Sequence, residues 1–160
     1  MSTDAAQARL PTHASFTLER HYRRPPATVF AALADPAAKR RWLIEGEGFT
    51  VDSYVPGFGV GAFDRSSFRF EGGPVISNDT VYLDIEADAR IIFAYTMRLE
   101  GTPMSSSLVT VLLAAEGAGT RLTLTEQGTY LPGFTDVAGR EQGTRELLEA
   151  LDREVMARAA

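Results

Sequence analysis

The sequence predicts an α+β fold: a curved antiparallel β-sheet wrapped around a long C-terminal α-helix, with two short helices after the first strand. Three observations predict it. A proline-bounded apolar stretch, Pro25-Pro26-Ala27-Thr28-Val29-Phe30-Ala31-Ala32-Leu33-Ala34-Asp35-Pro36, leads to Arg41-Trp42-Leu43. One long amphipathic segment runs from Asp136 to Met156. Between them, apolar residues alternate with polar ones in runs broken by glycine and proline, the period of half-buried strands. Short hairpin connections make the sheet antiparallel and leave its concave face for the final helix.

The elements follow in order. Residues 1 to 14 read as a mobile tail and 15 to 160 as one domain. Phe16, Leu18 and Tyr22 alternate with Thr17, Glu19 and His21 as a first strand. Pro26 suits the first turn of a helix, where a missing N–H is not needed. Val29, Phe30 and Leu33 continue that helix to Asp35-Pro36, and Pro36 opens a second through Trp42. Phe49 to Val55 is the second strand and Gly59 to Phe70 the third, with Phe68 and Phe70 on one face. In Thr80 to Ala87, Val81, Leu83 and Ile85 point inward and Tyr82, Asp84 and Glu86 outward. Arg90 to Leu99 turns Ile91, Phe93, Tyr95, Met97 and Leu99 inward. Ser107 to Ala114 adds Val109, Val111 and Leu113, and Thr120 to Gln127 adds Leu122, Leu124 and Glu126, joined through Glu116-Gly-Ala-Gly119. Asp136 caps the last helix, whose stripe is Val137, Arg140 or Glu141, Thr144, Leu147, Leu148, Leu151 and Val155.

Composition narrows the function classes. The 160 residues carry no cysteine, which excludes disulfides and thiolate chemistry and suits a reducing, cytoplasmic setting. No apolar run is long enough for a membrane span, and the opening Met1 to Arg9 lacks the apolar region of a secretory leader. A net charge of −5 opposes phosphate-backbone binding, so nucleic acid is not an expected partner. His13 and His21 have no ligating neighbours at useful spacing, so neither a metal nor another cofactor is expected. Gly57-Phe-Gly-Val-Gly61 does not open a helix and reads as a hairpin rather than a phosphate loop. Ser105-Ser106-Ser107 reads as a polar strand entry, and Met104 as a loop cap over a cavity mouth.

The layout resembles the START and polyketide-cyclase-like (SRPBCC) superfamily, and within it the branch named after the activator of the heat-shock-protein ATPase. Four stretches carry the resemblance: Tyr22 to Pro36 with Trp42, Asp88 to Tyr95, Gly119 to Glu126, and Gly143 with Leu147, Leu148 and Leu151. It covers about residues 15 to 157. The chain departs from the family pattern at Leu43, where a second tryptophan is common, at Thr144, where tryptophan often follows the glycine, and at Glu126, often histidine or another polar residue.

The resemblance implies a helix-grip fold with a cavity between sheet and C-terminal helix. Its expected lining is Trp42, Tyr54, Phe68, Phe70, Leu83, Phe93, Tyr95, Met97, Val109, Val111, Leu124, Glu126, Phe134, Thr144, Leu147, Leu148 and Leu151. A mostly apolar lining with a few polar anchors is what a small hydrophobic or amphipathic ligand needs. Glu126 is the sharpest polar residue, since a carboxylate turned inward must pair or protonate. The first expectation is therefore a small-molecule-binding protein. The alternative is a cyclase- or hydrolase-type enzyme with Glu126, Tyr54 or Tyr95 as acid or base. A chaperone-interacting role is implied by the resemblance alone. Exposed strand edges, or Tyr82 and Ile92 on the outer face, offer a homodimer contact.

Overall fold

Prolines and aspartates set the helix boundaries. In the computed structural model, which describes residues 9–159, the chain forms β1 (Thr12–Tyr22), α1 (Pro26–Ala34), α2 (Pro36–Leu43), β2 (Phe49–Val55), β3 (Phe63–Phe70), β4 (Ile76–Glu86), β5 (Arg90–Leu99), β6 (Thr102–Glu116), β7 (Gly119–Tyr130) and α3 (Val137–Ala157). Pro26 and Pro36 stand in the first turns of α1 and α2. Asp35 ends α1 and caps α2, its carboxylate accepting from Ala37 N–H at 3.1 Å. Asp136 caps α3 as its sequence position suggests, accepting from Gly139 N–H at 2.9 Å.

The strands form one seven-stranded antiparallel sheet in the order β1-β7-β6-β5-β4-β3-β2. β1 and β2 occupy opposite edges, so their connection, α1 and α2, must cross from one edge to the other. That crossing places both short helices with α3. The core lies where the concave face of β1, β7 and β6 meets α1 and α3: Phe16, Leu18, Val109, Val111, Leu122 and Leu124 pack with Val29, Leu148, Leu151 and Val155. Tyr22 ties β1 to α3 by donating its hydroxyl to Leu148 O at 3.0 Å. Arg41 of α2 meets Glu154 of α3 through two bonds of 3.1 and 2.6 Å.

Four expectations need correction. The first strand begins at Thr12, where Thr12, His13 and Ala14 pair with Tyr130, Thr129 and Gly128, so the segment read as tail is shorter than 14 residues. The remainder of that reading, residues 1–8, lies outside the described residues. In β4 the register shifts between Tyr82 and Asp84. Such a bulge absorbs one residue and reverses the facing on either side of it. Tyr82 consequently turns inward, opposite Phe93 and 5% exposed, while Leu83 is 48% exposed. The inward position of Tyr82 also removes it from any outer-face dimer contact. β6 starts at Thr102, so Met104 belongs to a strand rather than a loop cap. Phe70, expected inside, is exposed at the end of β3, where its ring meets that of Phe49 with centroids 5.0 Å apart.

Candidate functional site

The first turn of α3 lies over the β5–β7 part of the concave face. Arg140 Nη1 donates to the Tyr95 hydroxyl at 2.9 Å, and Nη2 donates to Ser105 Oγ at 2.8 Å. Tyr95 in turn donates to Glu126 Oε1. Glu126 is 1% exposed, and its Oε1 lies 3.7 Å from Arg140 Nη1. Burial, then the Glu126 carboxylate, pushes the Tyr95 phenol well above its ordinary value. Tyr95 therefore keeps its proton and acts as a donor. The carboxylate and the guanidinium offset each other, which a buried charge requires.

Beside this network the Tyr130 hydroxyl has no hydrogen-bond partner, and Ser107 Oγ stands next to the Tyr95 hydroxyl without a bond of full geometry. Gly128 explains how Tyr130 fits: a Cβ there would lie 2.7 Å from the Tyr130 ring. The ring thus folds back over the strand at Gly128. The Arg140 guanidinium stands over the Tyr130 and Tyr95 rings, 5.3 and 5.8 Å from their centroids.

A second polar cluster joins α2 to the other half of the sheet. Lys39 Nζ lies 2.6 Å from Asp64 Oδ2 and also donates to the Tyr82 hydroxyl. Tyr54 donates to the same Asp64 oxygen at 3.2 Å. Burial lowers the Lys39 pKa, with Asp64 opposing it, and burial raises those of Tyr54 and Tyr82. The Lys39 ammonium sits 4.8 Å from the Tyr82 ring centroid.

An aromatic row connects the two clusters along the concave face. Phe58, Tyr82, Phe93 and Tyr95 follow one another with centroid separations of 5.0, 6.0 and 6.2 Å. Phe93 and Tyr95 are only partly buried, whereas Val109, Val111 and Leu124 in the neighbouring strands are sealed. The concave face therefore has a closed half under α1 and α3 and a half, on β3 to β5, that keeps accessible aromatic surface.

The expected lining divides along that line. Tyr54, Phe68, Phe93, Tyr95 and Met97 are partly buried. Tyr95 and Glu126 come together with Arg140. Val111, Leu148 and Leu151, expected at the cavity, are buried members of the packed core with Val109 and Leu124. Leu147 and Phe134 are half-buried. Thr144 turns its hydroxyl back onto its own helix, bonding Arg140 O at 2.9 Å. Trp42 donates its indole N–H to Ala32 O at 2.9 Å and lines a cleft of about 530 Å³ between α2 and α3, with Arg41, Gly46 and Ala150. Among the residues expected to line the cavity, Trp42 alone borders that cleft. Phe70 and Leu83 are exposed.

Lys39, Asp64 and Tyr130 are absent from the expected site, and Ser105 and Ser107, expected as a polar strand entry, are buried inside β6. For four of them the signal was parity. Asp64 lies two-residue steps from Phe68, Ser105 and Ser107 such steps from Val109, and Tyr130 from Glu126. Lys39 stands three residues before Trp42, on the same side of α2. Its charge argued for solvent, and only the facing carboxylate makes burial tolerable.

Among the described residues, no group of three or more His, Asp or Glu side chains is placed to hold a metal ion, and no helix is long and apolar enough to cross a membrane. A curved sheet closed by a terminal helix, with two short helices after the first strand, is the helix-grip architecture of the START and polyketide-cyclase-like superfamily. Residues 23–156 match the family described as activator of Hsp90 ATPase homolog 1-like protein, and the chain belongs to that family. It is similar to the Mll3558 protein of Rhizobium loti, at 46% identity over 90% of this chain and 98% of that one, with a TM-score of 0.83. An uncharacterized protein of Rhizobium leguminosarum shares 37% identity over 94% and 99% of the two chains, with a TM-score of 0.89. A protein of the dynemicin biosynthetic locus shares the fold at 19% identity and TM-score 0.64, over 89% of this chain and 47% of that one. No curated protein matches the chain.

Proposed function

We propose that this protein binds a small apolar or amphipathic molecule on the β3–β5 half of its concave face. The observation that carries this reading is the aromatic row from Phe58 to Tyr95, partly accessible at Phe93 and Tyr95 while the adjacent core is sealed. Apolar surface left open inside a fold, with polar groups at its ends, is the usual form of a small-molecule site. The family's fold, one that suggests ligand binding, supports the reading.

Binding is favoured over catalysis by the state of Glu126. Its Oε1 already accepts from Tyr95 and lies beside Arg140, so the carboxylate serves to orient its neighbours.

The test is native mass spectrometry of protein purified without added ligand, followed by denaturing extraction and by titration with an apolar fluorophore. A retained small molecule, or saturable one-to-one uptake that Phe93→Ala abolishes, is the expected result. Absence of both refutes the reading.

A further inference from the structure

Ser107 Oγ and Tyr130 Oη lie on residues that are 6% and 1% exposed; Tyr130 Oη has no hydrogen-bond partner, and Ser107 Oγ stands beside the Tyr95 hydroxyl without a bond of full geometry. Buried hydroxyls are nearly always bonded, to protein or to something the site holds. The third such atom among the described residues, Arg24 Nε, follows β1 at the end of the sheet where Tyr22 pairs with Thr120. Tyr130 pairs with Thr12 at the other end.

The two hydroxyls both lie at Gly128. Ser107 stands opposite Tyr95 on one side and opposite Gly128 on the other. The Tyr130 hydroxyl lies 2.9 Å from where a Gly128 Cβ would be. Directly opposed Cβ positions in an antiparallel pair are about 4.5–5.5 Å apart. Both hydroxyl oxygens are fully covered, so a ligand oxygen that bonds both would have to displace the Tyr130 ring from Gly128. Tyr95, opposite Ser107, is also the end of the aromatic row, next to Phe93.

We propose that Ser107 and Tyr130 bind a neutral oxygen of the ligand, so that the substrate class of the site is an apolar ketone, alcohol or phenol. This rests on the concave-face reading above. Charge decides against acids and amines. Glu126 and Arg140 already offset each other, and both terminal nitrogens of Arg140 are engaged by Tyr95 and Ser105. A ligand carboxylate or ammonium would add a buried charge with no counter-charge. A hydroxyl both donates and accepts, so two of them suit a carbonyl or an alcohol equally.

The test is calorimetric titration of the wild type, Ser107→Ala, Tyr130→Phe and the double variant with four probes on one skeleton: naphthalene, 1-naphthol, 2-acetylnaphthalene and 1-naphthoate. The wild type is expected to prefer naphthol and acetylnaphthalene to naphthalene by about tenfold, and to reject naphthoate. The double variant is expected to lose that preference and keep its naphthalene affinity. Binding of naphthalene with no preference for the oxygenated probes overturns the role of the two hydroxyls and leaves the concave-face site standing. Binding of none of the four overturns both. The comparison of probes on the wild type alone decides the matter if a variant fails to fold.

Discussion

Lys39 Nζ and Asp64 Oδ2 form a 2.6 Å ion pair whose side chains are 5% and 6% exposed. It fastens α2 to β3 from inside; Tyr82 accepts a further bond from Lys39, and Tyr54 donates to the same Asp64 oxygen. A buried pair of this kind adds little over an apolar replacement, but breaking it strands a charge. Lys39→Met should lower stability by roughly 3–5 kcal/mol, and adding Asp64→Leu should restore much of the loss. Urea denaturation at unchanged slope measures both. A single variant as stable as the wild type would show the cluster to be hydrated.

High pH should unfold the chain cooperatively. All five tyrosines, Tyr22, Tyr54, Tyr82, Tyr95 and Tyr130, have pKa values raised above 10.0, with burial the largest cause in each. Above pH 10 the unfolded chain releases phenolic protons that the folded chain retains, so this stabilisation is complete below pH 10 and falls as pH rises. Lys39 acts in the opposite sense. Burial lowers its pKa, so below 10.5 the unfolded chain holds the extra proton and stability rises with pH in that window. One lysine against five tyrosines leaves a net loss. Tyrosinate absorbance should appear in one step together with loss of circular dichroism. Gradual ionisation near pH 10 in a folded chain would refute the burial argument.

The Glu126–Tyr95–Arg140 network should behave as a unit. Glu126→Gln keeps an oxygen for the Tyr95 hydroxyl but leaves Arg140 without its counter-charge. A loss of about 1–3 kcal/mol is expected, with Arg140→Met adding less in the Gln background than alone. Strict additivity in that double-mutant cycle would separate the two residues.

The sequence shows some of these features and hides others for physical reasons. α3 is legible because Asp136 and the spacing of Leu147, Leu148, Leu151 and Val155 are local signals. β4 is not, because the bulge between Tyr82 and Asp84 is decided by the pairing with β5 and not by the apolar alternation of Val81, Leu83 and Ile85. Glu126 could be placed by parity. Its partner Arg140 was ambiguous with Glu141, since both lie near the helix stripe and only the facing strand selects between them. Lys39 and Asp64 are distant along the chain, and neither betrays burial until the other is found.

Gly128→Ala tests how the site is built. The added methyl would come within 2.7 Å of the Tyr130 ring, which must then lift from the strand. Overpacking of this kind costs about 1–3 kcal/mol. Because Tyr130 carries the Arg140 guanidinium on its face, the displacement should also loosen Arg140 from Tyr95. Melting temperature reads the first effect, and the ring resonances of Tyr130 and Tyr95 read the second. Ligand affinity should fall with them, and Tyr130→Ala in the same chain should relieve the crowding and recover part of the melting temperature. If the single variant shifts neither stability nor the Tyr95 resonances, the Tyr130 ring does not rest on Gly128 in solution.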